Sequence, residues 1–253
     1  MVFITGDCHA DFKKFNMENF PQQREMSRDD VVLICGDFGG VWKDSKEERY
    51  WLDWLSKKNF TICFVDGNHE NFDRLYSDEF EMIDFHGGKA HKIRDNVFHL
   101  MRGYVFEFED KKFFAFGGAS SHDIRDGILD RNDFETDEDF KRMWNLCHWM
   151  GKMFRVNHIS WWREELPSME EMERGIRYLN EHNWEVDYII THCLPMEISA
   201  IAGYKDNDSI TSFFNTLIRN KLMFKEWHAG HYHREDRIFG KFFLHYEAIT
   251  RLL

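Results

Sequence analysis

Proline and long apolar runs are scarce in this sequence. Only 3 of its 253 residues are proline, and no apolar run approaches the roughly 20 residues that a membrane-spanning helix needs. No repeat, low-complexity tract or linker divides the chain, so the sequence predicts a single domain. Because 43% of the residues are hydrophobic, the chain can bury a large core and is not of the disordered class.

Cysteine is also sparse, and its spacing excludes a Cys-x-x-Cys redox or zinc motif. Four of the five cysteines fall in or beside predicted strands and one falls in a predicted helix: Cys8, Cys35, Cys63, Cys193 and Cys147. This pattern is typical of reduced, buried thiols in an intracellular protein. Since Met1 lies only six residues before the first candidate ligand, there is no room for a signal peptide. We therefore expect a cytoplasmic protein.

Positive charge is in short supply as well. The 33 lysines and arginines are outnumbered by 45 acidic residues, which gives a formal net charge of −12. A protein that wraps duplex nucleic acid needs a basic face to neutralise phosphates, and no lysine or arginine cluster stands out. We expect neither an extended duplex nor a membrane as a partner, and the oligomeric state is left open.

Several short apolar runs each end at a polar residue, commonly just after glycine. The central run covers residues 60–65 and leads into Gly67-Asn68-His69-Glu70. Similar runs precede Asp7-Cys8-His9, Asp37, His192, and the pair His231 and His233. Open α/β sheets bind ligands just beyond the carboxyl ends of their strands. The sequence therefore predicts that these side chains converge on one site.

Carboxylates, imidazoles and one amide form a ligand set suited to Mn²⁺, Fe or Zn²⁺. No thiolate is among them, which disfavours a closed structural zinc site. Two such ions roughly 3.5–4 Å apart can stabilise a transferring phosphoryl group and deprotonate a bridging water. The chemistry therefore favours hydrolysis of a phosphoester, with a bridging hydroxide as the nucleophile.

The order of these motifs resembles that of the calcineurin-like metallophosphoesterases, from Asp7 to His233. The resemblance implies an α/β fold with four α-β-β-α layers, in which two mixed sheets are flanked by helices. It also implies two divalent transition-metal ions, Mn²⁺ first, with Fe or Zn²⁺ possible. Position by position, it assigns the first ion to Asp7, His9, Asp37 and His233, the second to Asp37, Asn68, His192 and His231, and the catalytic role to His69.

The chain departs from the protein Ser/Thr phosphatase branch at its second and third motifs. Gly40 and Val41 stand where that branch has an aspartate that orients the catalytic histidine and an arginine that binds phosphate. Asp66 stands where it has another arginine. A phosphoprotein phosphatase is thus disfavoured, and the orienting partner of His69 is left open. We take Arg125 and His122 as candidate substrate-binding residues.

The leading hypothesis is a metal-dependent phosphoesterase that acts on a small or nucleotide-like phosphoester. The alternatives are a nuclease for single-stranded or terminal nucleic acid and, less favoured, a catalytically weak scaffold protein. We expect Glu70 to support the site without binding metal, and His228 to lie outside it.

Helical spacing predicts helices at about 12–20, 46–57, 141–154, 169–182 and 209–222. Ser168 and Glu171 predict a capping box at the start of the fourth of these. The first 66 residues read as β-α-β-α-β and predict a mostly parallel sheet. Runs at 96–101, 104–109 and 112–116 predict an antiparallel second sheet, and 237–239 with 242–246 a closing hairpin. Segment 122–165 is interpreted as an insertion or lid beside the site, or equally as a helical flap that only packs on the core.

Overall fold

Two β-sheets packed face to face form the centre of the computed structural model, which describes residues 1–253. The strands are β1 (Val2–Thr5), β2 (Val31–Ile34), β3 (Thr61–Phe64), β4 (Glu81–Phe85), β5 (Gly88–Arg94), β6 (Val97–Leu100), β7 (Tyr104–Phe108), β8 (Lys111–Phe116), β9 (Ile128–Leu129), β10 (Arg155–Val156), β11 (Tyr188–Thr191), β12 (Glu226–Ala229), β13 (Asp236–Ile238), β14 (Phe242–Leu244) and β15 (Thr250–Arg251). The helices are α1 (Lys46–Ser56), α2 (Phe72–Leu75), α3 (Asp137–Trp149), α4 (Met169–Glu181), α5 (Met196–Ile201) and α6 (Ser209–Arg219). No helix is both long and apolar enough to cross a membrane.

Each sheet has a parallel centre and antiparallel edges. The first runs in the order β15-β1-β2-β3-β6-β5-β4, with β1, β2, β3 and β6 parallel. The second runs β13-β14-β12-β11-β8-β7, with β14, β12, β11 and β8 parallel. In both sheets, strands that are distant in the chain therefore end side by side.

Alternating side chains along each central strand build separate core layers. On β2, Val31 and Leu33 face the second sheet, while Val32 and Ile34 face the layer that contains α1. The second sheet repeats this pattern, because Phe113 on β8 points to the inter-sheet core and Phe114 points to α4 and α6. Four layers result, in the order α-β-β-α, which confirms the expected fold class. All five cysteines are buried and unbridged, also as expected.

The helices at 46–57, 169–182 and 209–222 are confirmed as α1, α4 and α6. Ser168 and Glu171 form the predicted capping box at the start of α4. The closing hairpin is confirmed as β13 and β14. The predicted helix at 12–20 is wrong: only Lys13–Phe15 forms a 3₁₀ turn. There, the Asn16 side chain accepts from the Asn19 N–H at 2.7 Å, and such local bonds compete with the helical backbone pattern.

The middle of the chain also differs from the prediction. The run at 96–101 becomes β6, which pairs with β3 in the first sheet and not with β7. The second sheet is mixed, because β8 pairs in parallel with β11. Strands β4 and β5 were not predicted; most side chains of β4 are exposed at the sheet edge, so it carries no apolar run.

Segment 122–165 packs beside the strand ends of the first sheet. Its helix α3 begins at Asp137, earlier than predicted, and only Phe140 and Cys147 on it are buried. The apolar side chains that suggested a core-facing helix are largely exposed, Trp149 at 85%. Strands β9 and β10 pair with each other, and the Trp162 Nε1–H donates to Asp73 at 2.7 Å. Whether the segment acts as a lid stays a prediction.

Candidate metal centre

The polar residues that follow five central strands meet between the two sheets. Asp7 and His9 follow β1, Asp37 follows β2, and Asn68 and His69 follow β3 in the first sheet. His192 follows β11, and His231 and His233 follow β12 in the second sheet. Parallel strands end at one edge of a sheet, and both sheets present that edge to the same space.

Glycines before the proposed ligands allow the strand ends to approach closely. A Cβ atom on Gly36 would lie 2.1 Å from His192 Nδ1, and one on Gly67 would lie 2.0 Å from Asp37 Oδ1. A Cβ on Gly230 would lie 2.2 Å from Asp7 Oδ1. Since no side chain fits at these distances, glycine at these positions is a requirement of the site.

Four of the proposed ligands have left-handed backbone conformations that non-glycine residues rarely adopt. The φ angles are 47° at His9, 48° at Asp37, 69° at His231 and 49° at His233. Each such residue costs about 1–3 kcal/mol and persists only where the surroundings impose it. Their concentration here indicates that the protein tolerates backbone strain in order to position these side chains.

The first group of ligand atoms comes from Asp7, His9 and His233. Asp7 Oδ2 lies 3.6 Å from His9 Nε2 and 3.1 Å from His233 Nε2, and the two imidazole nitrogens are 3.0 Å apart. Asp7 Oδ2 is fully buried and accepts no well-aligned hydrogen bond. A buried carboxylate oxygen left unpaired among imidazole nitrogens fits a metal-binding position.

The second group contains Asn68, His192 and His231, and Asp37 lies between the two groups. Asn68 Oδ1 lies 3.2 Å from His192 Nε2. Asp37 Oδ1 is 3.3 Å from His192 Nε2, whereas its Oδ2 is 3.7 Å from His9 Nε2. The Asp37 carboxylate thus directs one oxygen to each group, which is the arrangement that a bridging ligand requires.

Hydrogen bonds to groups outside the ligand cluster orient two of the candidate ligands, His192 and Asn68. The His192 Nδ1–H donates to the Cys35 carbonyl at 2.7 Å, which leaves Nε2 free to bind an ion. The Asn68 amide nitrogen donates to Ser121 Oγ at 3.4 Å, and the Ser121 hydroxyl donates to Glu165 at 2.7 Å. Such supporting contacts fix ring and amide orientation at metal sites.

The buried charged carboxylates of the cluster also favour the binding of cations. Burial raises the pKa of Asp37, but the neighbouring His192 imidazole brings it below its ordinary value overall. The pKa of Asp7 is likewise lowered by His233 and His9 against the effect of burial. Burial lowers the pKa of His192, yet Asp37 raises it to about 10. Two charged carboxylates without a lysine or arginine partner fit a pair of bound dications.

His69 lies at the edge of this cluster. Its backbone N–H donates to Asp37 Oδ1 at 2.8 Å, and its ring packs edge-on against His9, with centroids 5.2 Å apart. No hydrogen bond joins the His69 ring to another side chain, and the Phe38 ring occupies the space where a Cβ on Gly40 would lie. The structure therefore supplies no substitute for the orienting aspartate.

Of the two candidate substrate residues, His122 lies at the site and Arg125 does not. His122 Nε2 is 2.8 Å from His231 Nε2, whereas the Arg125 side chain is 76% exposed and faces Asp126. Arg155, which was not predicted, lies beside His69 and lines a cavity of about 130 Å³ together with the candidate ligands Asp37, Asn68, His231 and His233. No sequence pattern predicted Arg155 at the site, because segment 122–165 reaches the site only through long-range packing.

Three other residues near the motifs have supporting or separate positions. Glu70 accepts from the Phe38 N–H at 2.7 Å and so holds the loop after Asp37. Asp66 forms a buried ion pair with Arg102. His228 Nδ1 lies 2.9 Å from His245 Nε2 and forms a separate histidine pair.

The two-sheet sandwich and its ligand cluster between the strand ends are typical of metal-dependent hydrolases. A family model for the calcineurin-like phosphoesterases matches residues 1–234, so the chain belongs to that family. Membership implies metal-dependent hydrolysis of a phosphoester. A search of curated proteins found no match.

We predict that the protein binds about two Mn²⁺ ions per chain and that Asp37→Asn impairs both sites, because its carboxylate faces both ligand groups. Asp7→Asn should lose less metal. Asp11→Asn, in the same loop but exposed, is the matched control and should bind as the wild type does. Metal content after dialysis is measured by mass spectrometry. Wild-type stoichiometry in Asp37→Asn would refute the bridging role.

Proposed function

We propose that the protein is a two-metal-dependent phosphoesterase that acts on a small or nucleotide-like phosphoester. The observation that supports this proposal most is the position of Asp37, with one carboxylate oxygen toward each ligand group. Asp7, His9, Asp37 and His233 would hold one ion, and Asp37, Asn68, His192 and His231 the other. When bound, the ions would activate water and neutralise phosphoryl charge.

Mn²⁺ is the proposed metal, because neutral imidazoles, carboxylates and an amide oxygen suit it and no thiolate is present. Fe and Zn²⁺ remain alternatives in the same ligand set. Two dications carry more positive charge than the two carboxylates remove, so the centre stays cationic and attracts an anionic ester. The neutral Asn68 ligand adds no further negative charge.

His69 is the proposed general acid that protonates the leaving group. Its ring is half-buried, lies at the edge of the cluster and makes no hydrogen bond to a side chain, so its nitrogens are available to substrate. An alkoxide is a poor leaving group unless it gains a proton, and an imidazole can supply one near neutral pH. Asp37 fixes the His69 backbone through the 2.8 Å hydrogen bond.

Arg155 is the proposed phosphate-binding cation. Its Nε–H donates to Asp123 at 2.8 Å and its Nη1–H to the Ser160 carbonyl at 3.1 Å. Its Nη2 also pairs with Asp123 at 2.6 Å. These three contacts leave two of the five guanidinium N–H groups unused, and Arg155 lines the same cavity as His69. His122 lines the same cavity beside His231.

The nuclease alternative is less favoured on charge. The chain carries a net charge of −12, and a groove for single strands normally combines basic residues with stacking aromatics over several nucleotides. A scaffold protein without catalysis would not need a complete ligand set.

His69→Asn tests the catalytic assignment. We expect a loss of about 10²–10⁴-fold in kcat on an alkyl phosphoester, the usual contribution of general acid catalysis. A p-nitrophenyl ester should lose far less, because its leaving group needs no proton. Metal content should remain at the wild-type level. Equal losses on both esters with metal retained would contradict leaving-group protonation and indicate phosphate binding.

Arg155→Ala tests the phosphate contact, with Arg125→Ala as the exposed control from the same segment. Loss of a charge-assisted hydrogen bond should lower kcat/KM by about 10–100-fold, and Arg125→Ala should leave it unchanged. Asp123→Asn removes only the partner of Arg155. If Asp123→Asn lowers kcat/KM as much as Arg155→Ala does, Arg155 acts through the ion pair and does not bind phosphate.

A further inference from the structure

A cavity of about 390 Å³ adjoins the metal centre on the side of His69. His9, His69 and Arg155 belong to its lining, and the last two also face the smaller cavity at the ligand cluster. Its volume falls in the range of roughly 300–1,000 Å³ that is typical of small-ligand sites. A molecule bound at the metal centre could therefore extend past His69 into this cavity.

Three aromatic side chains belong to the lining of this cavity. Trp42 and Trp51 both line it and are half-buried, and the Phe12 ring is fully buried behind them. Indole rings present flat, polarisable surfaces on which planar groups stack. The wall therefore suits a planar aromatic group better than a flexible polar chain.

Hydrogen bonds and ring packing fix the position of Trp42 in the absence of ligand. Glu48 accepts from the N–H groups of Trp42 and Lys43 at 2.8 and 2.7 Å, and the Asn71 amide donates to the Trp42 carbonyl at 2.7 Å. The Trp42 ring also packs edge-on against Trp162, with centroids 5.3 Å apart. A rigid wall of this kind loses little conformational entropy on binding.

Trp51 is fixed by the packing of α1. Its ring contacts Phe12 at a centroid distance of 6.2 Å and Trp54 at 5.4 Å. Trp54 packs against the same core cluster but is not part of the cavity lining. Because the Trp54 ring supports Trp51, a change at Trp54 would also disturb the cavity wall. Trp149, which is 85% exposed and outside the lining, suits a control substitution.

The charges around the cavity largely compensate one another. Glu48 is paired with Arg74 at 2.6 Å, and Arg155 is paired with Asp123 at 2.6 Å. Lys43 and Glu47 are of opposite sign and exposed. Such a cavity favours an uncharged group over a second phosphate.

We propose that this cavity is a leaving-group subsite that binds a planar aromatic group of nucleoside size, stacked against Trp42 and Trp51. The inference rests on the proposed function, because His69 would protonate the oxygen that joins this group to the phosphorus. When the bond between this oxygen and phosphorus breaks, the aromatic group therefore remains on the alcohol product and not on the phosphate product.

Ligand-observed saturation-transfer NMR on the Mg²⁺-loaded protein tests the subsite without turnover; Mg²⁺ stands in for Mn²⁺ because it is diamagnetic. The probes are three free alcohols: adenosine, ribose and benzyl alcohol. Adenosine should bind with its base protons closest to the protein, and ribose should bind much more weakly. Trp51→Leu should weaken adenosine about 5–150-fold, the range of base–aromatic stacking. Trp149→Leu, at an exposed tryptophan outside the cavity, should leave adenosine affinity unchanged.

Trp42→Leu provides a second variant in case Trp51→Leu perturbs α1, and circular dichroism reports the folding of each. Benzyl alcohol binding as tightly as adenosine would assign the subsite to a simple aryl ring. Equal affinity for adenosine and ribose, or unchanged adenosine affinity in both cavity variants, would overturn the subsite. Turnover of adenosine 5′-phosphate and ribose 5-phosphate is measured separately, and failure on both with intact adenosine binding would count against the proposed function alone.

Discussion

Two carboxylates that are buried without a lysine or arginine partner are the constraint on which the rest of the site depends. The side chains of Asp7 and Asp37 are 0% and 1% exposed, and the ionisable partners within salt-bridge distance of them are all imidazoles. Leaving such charges uncompensated costs several kcal/mol, so bound cations complete the site. The glycines, the left-handed residues and the Glu70 contact all serve to bring these carboxylates between the two sheets.

The convergence of the candidate ligands could be predicted from the sequence because each lies within four residues of the end of a short apolar strand. Their assignment to two ions came from the family resemblance and stays a prediction. Asn68 and His192 lie far apart in the chain and in different sheets, yet the carboxyl ends of the parallel strands of both sheets adjoin. The sequence could not predict β4, because an exposed edge strand carries no apolar run, nor the 12–20 turn, where side-chain amides replace helical bonds. The position of Arg155 at the site could not be predicted either, because it depends on the packing of segment 122–165.

The departures from the Ser/Thr phosphatase branch have structural counterparts. Asp66 pairs with Arg102 behind the metal centre, and Phe38 fills the space beside Gly40. We propose that the groups that face substrate come instead from His122, Arg155 and the tryptophan wall. The chain therefore has the metal-binding motifs of the family but different residues around the proposed substrate site. We expect these residues to determine its substrate specificity.

The central claim is that one carboxylate, Asp37, joins two ions in this cluster. Anomalous X-ray diffraction from crystals grown with Mn²⁺ tests it most directly. The account predicts two manganese peaks roughly 3.5–4 Å apart, one beside Asp7 and His233, the other beside Asn68 and His192, with Asp37 bound to both. A single peak, or two peaks that do not share Asp37, would contradict it.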